Sequence, residues 1–204
     1  MDVLTTENPN ATMMSIKLIF QINWRIFGFA LILSFAANGS AQKLITRNAS
    51  VHFFSSTPME NIEAQSNGMS AILDISNGQV AFQVPIRSFH FENALMEEHF
   101  NENYMESELH PKATFSGRLL DWDIHAFSAG EPVPVVAQGD FNCHGISDER
   151  KVSGTLSKQD DGRWTIEANF EVSTSVHGIP IPKVVRENIA EVIQVDLKAI
   201  LEPK

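Results

Sequence analysis

The stretch that decides the fold is GQVAFQVPIRSFHFENALMEEHFNENYMESELHPKATF, residues 78–115. It begins with strict alternation of apolar and other residues, which predicts a half-buried strand. The apolar residues on one face of this strand are Val80, Phe82, Val84 and Ile86. Phe89 and Phe91 are out of phase with that face, so we expect a bulge or a strand end near Ser88 that turns both aromatic rings toward the core.

The middle of the same stretch has the periodicity of a helix. Two series of residues recur at i,i+4 spacing, which are Leu95 and His99, and Met96, Phe100 and Tyr104. Asn93 can cap this helix, and Pro111 ends the connection that follows it. Alternation resumes at residues 112–123. The stretch therefore predicts a strand, a short acidic helix and another strand in direct succession.

Two further strands are predicted before this stretch. Residues 50–55 alternate, and the segment Thr57-Pro58-Met59-Glu60 has the spacing of a helix start, which predicts a short helical turn extending to about Gly68. Residues 69–75 alternate again. Because Ser76-Asn77-Gly78 carries an Asn-Gly hairpin signal, the strand at 69–75 is predicted to pair with the strand that begins at 79.

Four more strands are predicted after the helix and the strand at 112–123. They cover residues 133–143, 151–156, 164–176 and 193–201, with a hairpin at Asp160-Asp161-Gly162 and short helical turns within 183–190. Eight largely consecutive strands predict an all-β protein, either an antiparallel up-and-down barrel or a large sandwich. Large and small residues are mixed on the inward faces, so the interior can be filled by side chains or can hold one small ligand.

The first 41 residues are predicted to be an N-terminal extension and a cleaved signal peptide. The run IFGFALILSFAA at 26–37 is uncharged, Lys17 and Arg25 precede it, and Gly39 and Ala41 supply small residues for cleavage after Ala41. Translation starts at Met1, Met13 or Met14. The predicted mature domain, residues 42–204, keeps the net charge of −10. This charge argues against a nucleic-acid partner, and Cys143, the one cysteine, is predicted to be a buried hydrophobic residue.

Several motifs resemble those of the YceI-like family. They are HFNENYM at 99–105, HPKATF at 110–115, FNCHGISDERKVSGTL at 141–156 and VSTSVHGI at 172–179. The resemblance implies an eight-stranded antiparallel lipocalin-like barrel with a short helix between strands 3 and 4, exported to the periplasm or secreted. It also implies an apolar cavity for a polyisoprenoid lipid with the head group near the mouth. Departures from the family pattern occur at 146–149 and 176–177.

The function that we expect is non-catalytic binding or transport of a long apolar lipid, either a polyisoprenoid or a quinone precursor. The expected partners are this lipid, a membrane with which the lipid exchanges transiently, and, where the barrel dimerises, a second copy of the chain. The residues predicted to contact the lipid are Phe82, Val84, Phe89, Phe91, Phe100, Tyr104, Phe115, Phe141, Trp164 and Phe170. The alternative is a filled barrel that acts as a structural or stress-response interaction protein without a small ligand.

A metal-dependent hydrolase is a third hypothesis, because His90, His99 and His110 flank the acidic helix. His99 and Glu102 form an i,i+3 pair that could hold a metal. Charge-rich helix faces are usually solvated, however, and the sequence has no nucleophile elbow, HExxH motif or glycine-rich phosphate loop. We therefore assign no catalytic residue, no metal ligand and no cofactor from the sequence.

Overall fold

The computed structural model describes residues 43–204, which form a closed barrel of eight antiparallel strands in sequence order. The strands are β1 Lys43–Ser56, β2 Asn61–Asp74, β3 Gln79–Pro85, β4 Lys112–Leu119, β5 Pro132–Cys143, β6 Ile146–Lys158, β7 Trp164–Ser173 and β8 Val192–Pro203. Each strand pairs with its neighbours, and β8 closes the barrel onto β1. The prediction of an eight-stranded antiparallel barrel is confirmed.

Alternation of inward and outward residues holds along the strands, with one phase change in each of the first two. In β1 the buried residues are Leu44 and then Ala49 and Val51, and the register against β2 shifts on both sides of Ala49. In β2 the buried residues change from even to odd positions between Ser66 and Met69. These irregularities bend the strands, which barrel closure requires.

The connections divide between the two ends of the barrel. One end carries the β1–β2 turn, the β3–β4 connection, the β5–β6 turn and the long β7–β8 connection, and we call it the lid end. The lid itself is the helix Ala94–His99 followed by a π-helical turn, Phe100–Tyr104. It lies between β3 and β4, as predicted. The other end carries the β2–β3, β4–β5 and β6–β7 connections.

The prediction of a helical turn after the first strand is wrong. The Thr57 hydroxyl accepts hydrogen bonds from the backbone N–H groups of Met59 and Glu60, which makes a tight turn instead of a helix start. Strand β2 already begins at Asn61, where it pairs with Ser56 of β1. The helix-start signal at residues 57–60 is local, whereas the hydrogen bonds between β1 and β2 depend on pairing that this four-residue motif cannot indicate. The sheet pairing therefore decided the conformation.

Other boundaries moved by a few residues. Strand β4 ends at Leu119 instead of residue 123, because Asp121 adopts a left-handed backbone conformation with φ of 50°. Strand β7 ends at Ser173 and is followed by turns. The 3₁₀ turn Ile86–Ser88 ends the alternation near Ser88, as predicted, and a 3₁₀ turn at Lys183–Val185 precedes the last strand. The predicted signal peptide and its cleavage point lie outside the described residues.

Candidate ligand-binding cavity

The interior of the barrel beneath the lid is hollow. It encloses a cavity of about 390 Å³ whose wall is almost entirely apolar. The cavity lies within the range of about 300–1,000 Å³ that is typical of small-molecule sites. Inward residues such as Phe82, Val135 and Phe170 line it and are only half-buried, because the space that they face is not filled by other side chains.

The opposite end of the barrel is closed by aromatic packing. The ring centroids of Trp122 and Phe127 are 5.3 Å apart, and those of Phe127 and Trp164 are 5.1 Å apart. The Trp122 indole N–H donates to the carbonyl oxygen of Ile75 at 3.1 Å, which satisfies its polar atom. Trp164 therefore belongs to this plug and does not line the cavity, contrary to its predicted placement.

An aromatic cluster joins the lid to the barrel. Phe100 of the lid packs on Phe53 of β1, with ring centroids 5.4 Å apart. Phe89 and Phe91, which follow the 3₁₀ turn, lie 5.7 and 5.1 Å from Phe100. All four rings line the cavity. The phase change read from the sequence at Ser88 thus turns both Phe89 and Phe91 toward the interior.

Hydrogen bonds fix the lid at its start and along its length. The Asn93 side chain accepts from the backbone N–H of Leu95 at 2.9 Å, so the predicted cap is confirmed. The Glu97 carboxylate accepts from the backbone N–H of Phe91 at 3.2 Å. The Asn101 amide donates to the Glu97 carbonyl oxygen at 2.9 Å. The lid is therefore a positioned element that carries Met96, Phe100 and Tyr104 over the cavity.

Polar groups also line the cavity at the lid end. The Asn188 amide donates to the Glu60 carboxylate at 2.9 Å, which links the β1–β2 turn to the β7–β8 connection. Ala190 donates its backbone N–H to the buried hydroxyl of Ser55 at 2.9 Å. Glu60 and Asn188 both line the cavity, as does His99 of the lid. The polar lining groups therefore include several at the lid end, whereas the deeper wall is hydrocarbon.

A polar cluster lies against the cavity wall on the inner face of β6. The Asp148 carboxylate accepts three hydrogen bonds from the Arg150 guanidinium, which also donates to the Glu171 carbonyl oxygen at 2.9 Å. That last contact spans a region where β6 and β7 are not paired, since their pairing runs from Gly154 and Ala168 to Lys158 and Trp164. Arg150 thus closes the seam with its side chain.

His177 and Phe141 complete this polar cluster. The His177 ring is fully buried, and its Nε2 atom lies 3.2 Å from Arg150 Nη2. Burial lowers the pKa of His177 below its ordinary value, against the opposing effect of the Asp148 charge. The Arg150 guanidinium lies 4.4 Å from the centroid of Phe141, a cavity residue.

Sequence reasoning missed this cluster, although a signal was present. Asp148 and Arg150 have the same parity in the sequence as Val152 and Gly154, which line the cavity. Following that alternation toward the start of β6 would have placed both charges inside the barrel.

Nine of the ten residues predicted to contact a lipid line the cavity, Trp164 being the exception. Among the lining residues missed is Phe53, which alternates with Val51 and could have been placed inward by the same argument. The Ile181 and Ile189 side chains come from the β7–β8 connection, where no periodicity points to the cavity. Cys143 also lines the cavity and is buried, as predicted, and burial raises the pKa of its thiol to about 11.

The His99 and Glu102 pair considered for a metal does not form part of the one three-residue group of potential metal ligands within residues 43–204. His99 instead contributes to the cavity lining at the lid. Glu106, His110 and His144 form that group, at the lid end of the barrel.

A closed antiparallel barrel with an apolar interior cavity and a lid between two strands defines the lipocalin-like class of β-barrels. The chain belongs to the YceI-like family, whose YceI-like domain matches residues 43–201. None of the helices within residues 43–204 is long and apolar enough to cross a membrane.

Solved structures of other proteins share the fold. A polyisoprenoid binding domain from Saccharophagus degradans, implicated in plant cell wall breakdown, superposes with a TM-score of 0.70 at 12% identity, covering 80% of this chain and 99% of that one. BcnA from Burkholderia cenocepacia gives a TM-score of 0.62 at 14% identity, covering 76% and 96%. The YCEI protein of Campylobacter jejuni gives 0.53 at 15% identity, covering 68% and 84%. A sequence search of curated proteins finds no match.

Proposed function

We propose that this protein binds a long-chain apolar lipid, a polyisoprenoid or a quinone precursor, inside the barrel and carries it without transforming it. The observation that supports this proposal most directly is the cavity of about 390 Å³ with its hydrocarbon wall. Membership of the YceI-like family and the likeness to a polyisoprenoid binding domain support apolar lipid binding in general.

The distribution of polar groups favours one orientation of such a lipid. Its chain would lie against Val80, Leu119 and Val135 in the deeper part of the cavity, where it meets a hydrocarbon wall. Its head group would lie at the lid end, near Glu60 and Asn188, which can exchange hydrogen bonds with a hydroxyl or a carbonyl group. A head group with several negative charges is disfavoured there because Glu60 and the acidic lid are nearby.

Energetics favour exchange with a membrane over permanent binding. Transfer of each methylene group from water into the cavity is worth about 0.8 kcal/mol, so a long chain leaves the protein for water very slowly. A bilayer offers the same chain an equally apolar environment, so the methylene transfer free energy nearly cancels when the lipid moves between protein and membrane. The net preference is set by aromatic contacts, cavity shape and the head group, which is suited to a carrier that both loads and unloads.

The setting of this activity is proposed to be the periplasm or the extracellular space, on the basis of the signal segment predicted within residues 1–41. With a net charge of −10, the carrier would be repelled by anionic membrane surfaces and would remain dispersed between encounters.

Native mass spectrometry of the protein purified from its own host tests the proposal. The expected result is an added mass in stoichiometric amount that organic extraction and mass analysis identify as a prenyl chain or prenylated quinone. Ala168→Phe, which places a ring in the cavity, serves as the matched variant and should carry much less of that lipid. A bare polypeptide mass, under gentle conditions that preserve lipid complexes in other lipocalin-like barrels, would contradict the proposal.

A further inference from the structure

Three side chains capable of binding a metal meet at the lid end, outside the cavity. Glu106 follows the lid, His110 precedes β4, and His144 lies in the turn between β5 and β6. One potential ligand atom from each lies within 4.8 Å of the other two. The rings of His110 and His144 are edge to face, with centroids 4.5 Å apart. The chain thus brings together two imidazoles and one carboxylate from separate segments.

Both ring nitrogens of His144 lie close to oxygen atoms. Its Nδ1 atom lies 3.0 Å from the carbonyl oxygen of His177, and its Nε2 atom lies 3.1 Å from the carboxylate of Glu106. Both partners are acceptors only, whereas a neutral imidazole has a single N–H. When Nδ1 donates to the carbonyl oxygen, the Nε2 lone pair and the Glu106 carboxylate face each other, which is the arrangement of two ligand atoms that share a cation.

The solvent exposure of the His144 and Glu106 side chains shows from which side a cation reaches them. The His144 side chain is only 8% exposed, whereas the Glu106 side chain is 44% exposed. The imidazole is thus held in the protein, while the carboxylate side of the cluster is open to solvent. An ion can enter from that side without unfolding the barrel.

The backbone supports the same interpretation. Within residues 43–204 three residues other than glycine have positive φ, and two of them are Glu106 at 43° and His144 at 50°. A glutamate rarely adopts this conformation, although histidine tolerates it better, and such strain concentrates at functional sites. Gly145, also with positive φ, lets His110 approach, because a Cβ atom there would lie 2.7 Å from its Cε1 atom.

We propose that Glu106, His110 and Nε2 of His144 bind a Zn²⁺ ion. Two imidazoles and one carboxylate form a recognised zinc donor set. With metal–ligand distances of about 2.0–2.2 Å, donors in a tetrahedral site lie about 3.3–3.6 Å apart, a few tenths of an ångström more than the 3.1 Å between His144 Nε2 and the Glu106 carboxylate. The His177 carbonyl oxygen would hold the Nδ1–H of His144, as outer-shell acceptors do in zinc sites. Water would complete the coordination from the exposed side.

The ion would join the lid segment to the barrel. Glu106 directly follows Tyr104 and Met105, and His144 directly follows Cys143, and these three neighbours all line the cavity. A metal bridge between the two segments would therefore restrain that wall of the cavity. The site does not depend on what the cavity binds, and its test uses the metal alone.

The experiment is a titration of the chelator-treated protein with Zn²⁺ by calorimetry, together with the visible spectrum of the Co²⁺ form. The expected results are one ion per chain and the strong visible absorption of tetrahedral cobalt. His110→Phe removes one ligand and keeps an aromatic ring, and it should weaken Zn²⁺ binding by at least about 100-fold. Glu106→Gln should weaken it as well, which covers the case in which His110→Phe fails to fold.

His52→Asn is the matched control. The His52 and Glu63 pair has the same Nε2 to carboxylate distance of 3.1 Å, but the pair lies on the exposed surface and outside the three-ligand group. This variant should bind Zn²⁺ as the unaltered protein does. The proposal is overturned if the protein binds no stoichiometric ion, or if folded His110→Phe and Glu106→Gln both retain its affinity. Nitrogen chemical shifts showing both His144 nitrogens protonated in the presence of Zn²⁺ would also overturn it.

Discussion

Introducing the same ring at two small residues on the inner face should distinguish the hollow part of the barrel interior from the filled part. Ala168 of β7 lines the cavity and is half-buried, whereas Ala199 of β8 is fully buried and is not among the cavity residues. Ala168→Phe places its ring in space that is already present. Ala199→Phe must displace packed neighbours, including Ile166, its partner across the sheet.

The two substitutions should differ in stability. Overpacking a filled core costs about 1–3 kcal/mol, and a whole ring lies at the upper end of that range. For a domain of this size, about 3 kcal/mol corresponds to a Tm lower by about 6–12 °C, which we expect for Ala199→Phe. Ala168→Phe should change Tm by less than about 4 °C, equivalent to about 1 kcal/mol. Differential scanning calorimetry measures both.

The same pair should differ in lipid binding. A phenyl ring takes the room of about six methylene groups, which are worth about 5 kcal/mol of transfer from water. Part of that loss is recovered if the lipid shifts toward the mouth. We therefore expect Ala168→Phe to weaken binding of solanesol, a long polyprenol, by at least about 100-fold, or about 2.8 kcal/mol. The reasoning is refuted if both variants are equally destabilised, or if Ala168→Phe folds and binds solanesol normally.

Three further predictions concern the lid, a turn and the cysteine. Phe100→Ala removes ring contacts with Phe53 and should destabilise the lid by about 2 kcal/mol, seen as faster hydrogen exchange at residues 94–104, and unchanged exchange would contradict it. The Ser76 hydroxyl and backbone N–H lower the pKa of Asp74 below 3.8, so Asp74 stabilises the fold above pH 3.8 and loses this effect as the pH falls further. The Tm gap between the protein and Asp74→Asn should therefore shrink in acid, and a constant gap would refute it. Cys143 should react with iodoacetamide far more slowly than after unfolding, and more slowly still when solanesol is bound, whereas an equal rate in the folded and unfolded protein would contradict its burial.

Local pattern was sufficient for most of the strands. Period-two alternation and hairpin signals located eight strands, because a strand with one wet face must alternate wherever it stands in the fold. The same rule predicted that the aromatic rings of Phe82, Phe115 and Phe141 face inward, and all three line the cavity. The helix between β3 and β4 was also predictable, since Asn93 and the i,i+4 series are local signals.

Local pattern failed where a distant partner decided the outcome. Residues 57–60 have the composition of a helix start, yet residues from 61 onward pair with β1 and form a strand. Trp164 follows the alternation of its strand and faces inward. Its contacts with Trp122 and Phe127, which the strand pattern does not show, place it in the plug instead of the cavity wall. Facing inward is a property of one strand, whereas depth along the barrel axis depends on which loop covers each end.

The sequence by itself determined the strand count, the alternation, the lid helix and the family, because these depend on contacts near in the chain or on motifs. Tertiary structure alone decided that part of the interior is hollow, since filling depends on side chains from all eight strands at once. It also brought together Glu106, His110 and His144, of which His144 lies 34 residues beyond His110 in the sequence. Spacing along the chain does not reveal that these three side chains are close together. Barrel closure and the lid set the distance between residues 106–110 and the turn at His144.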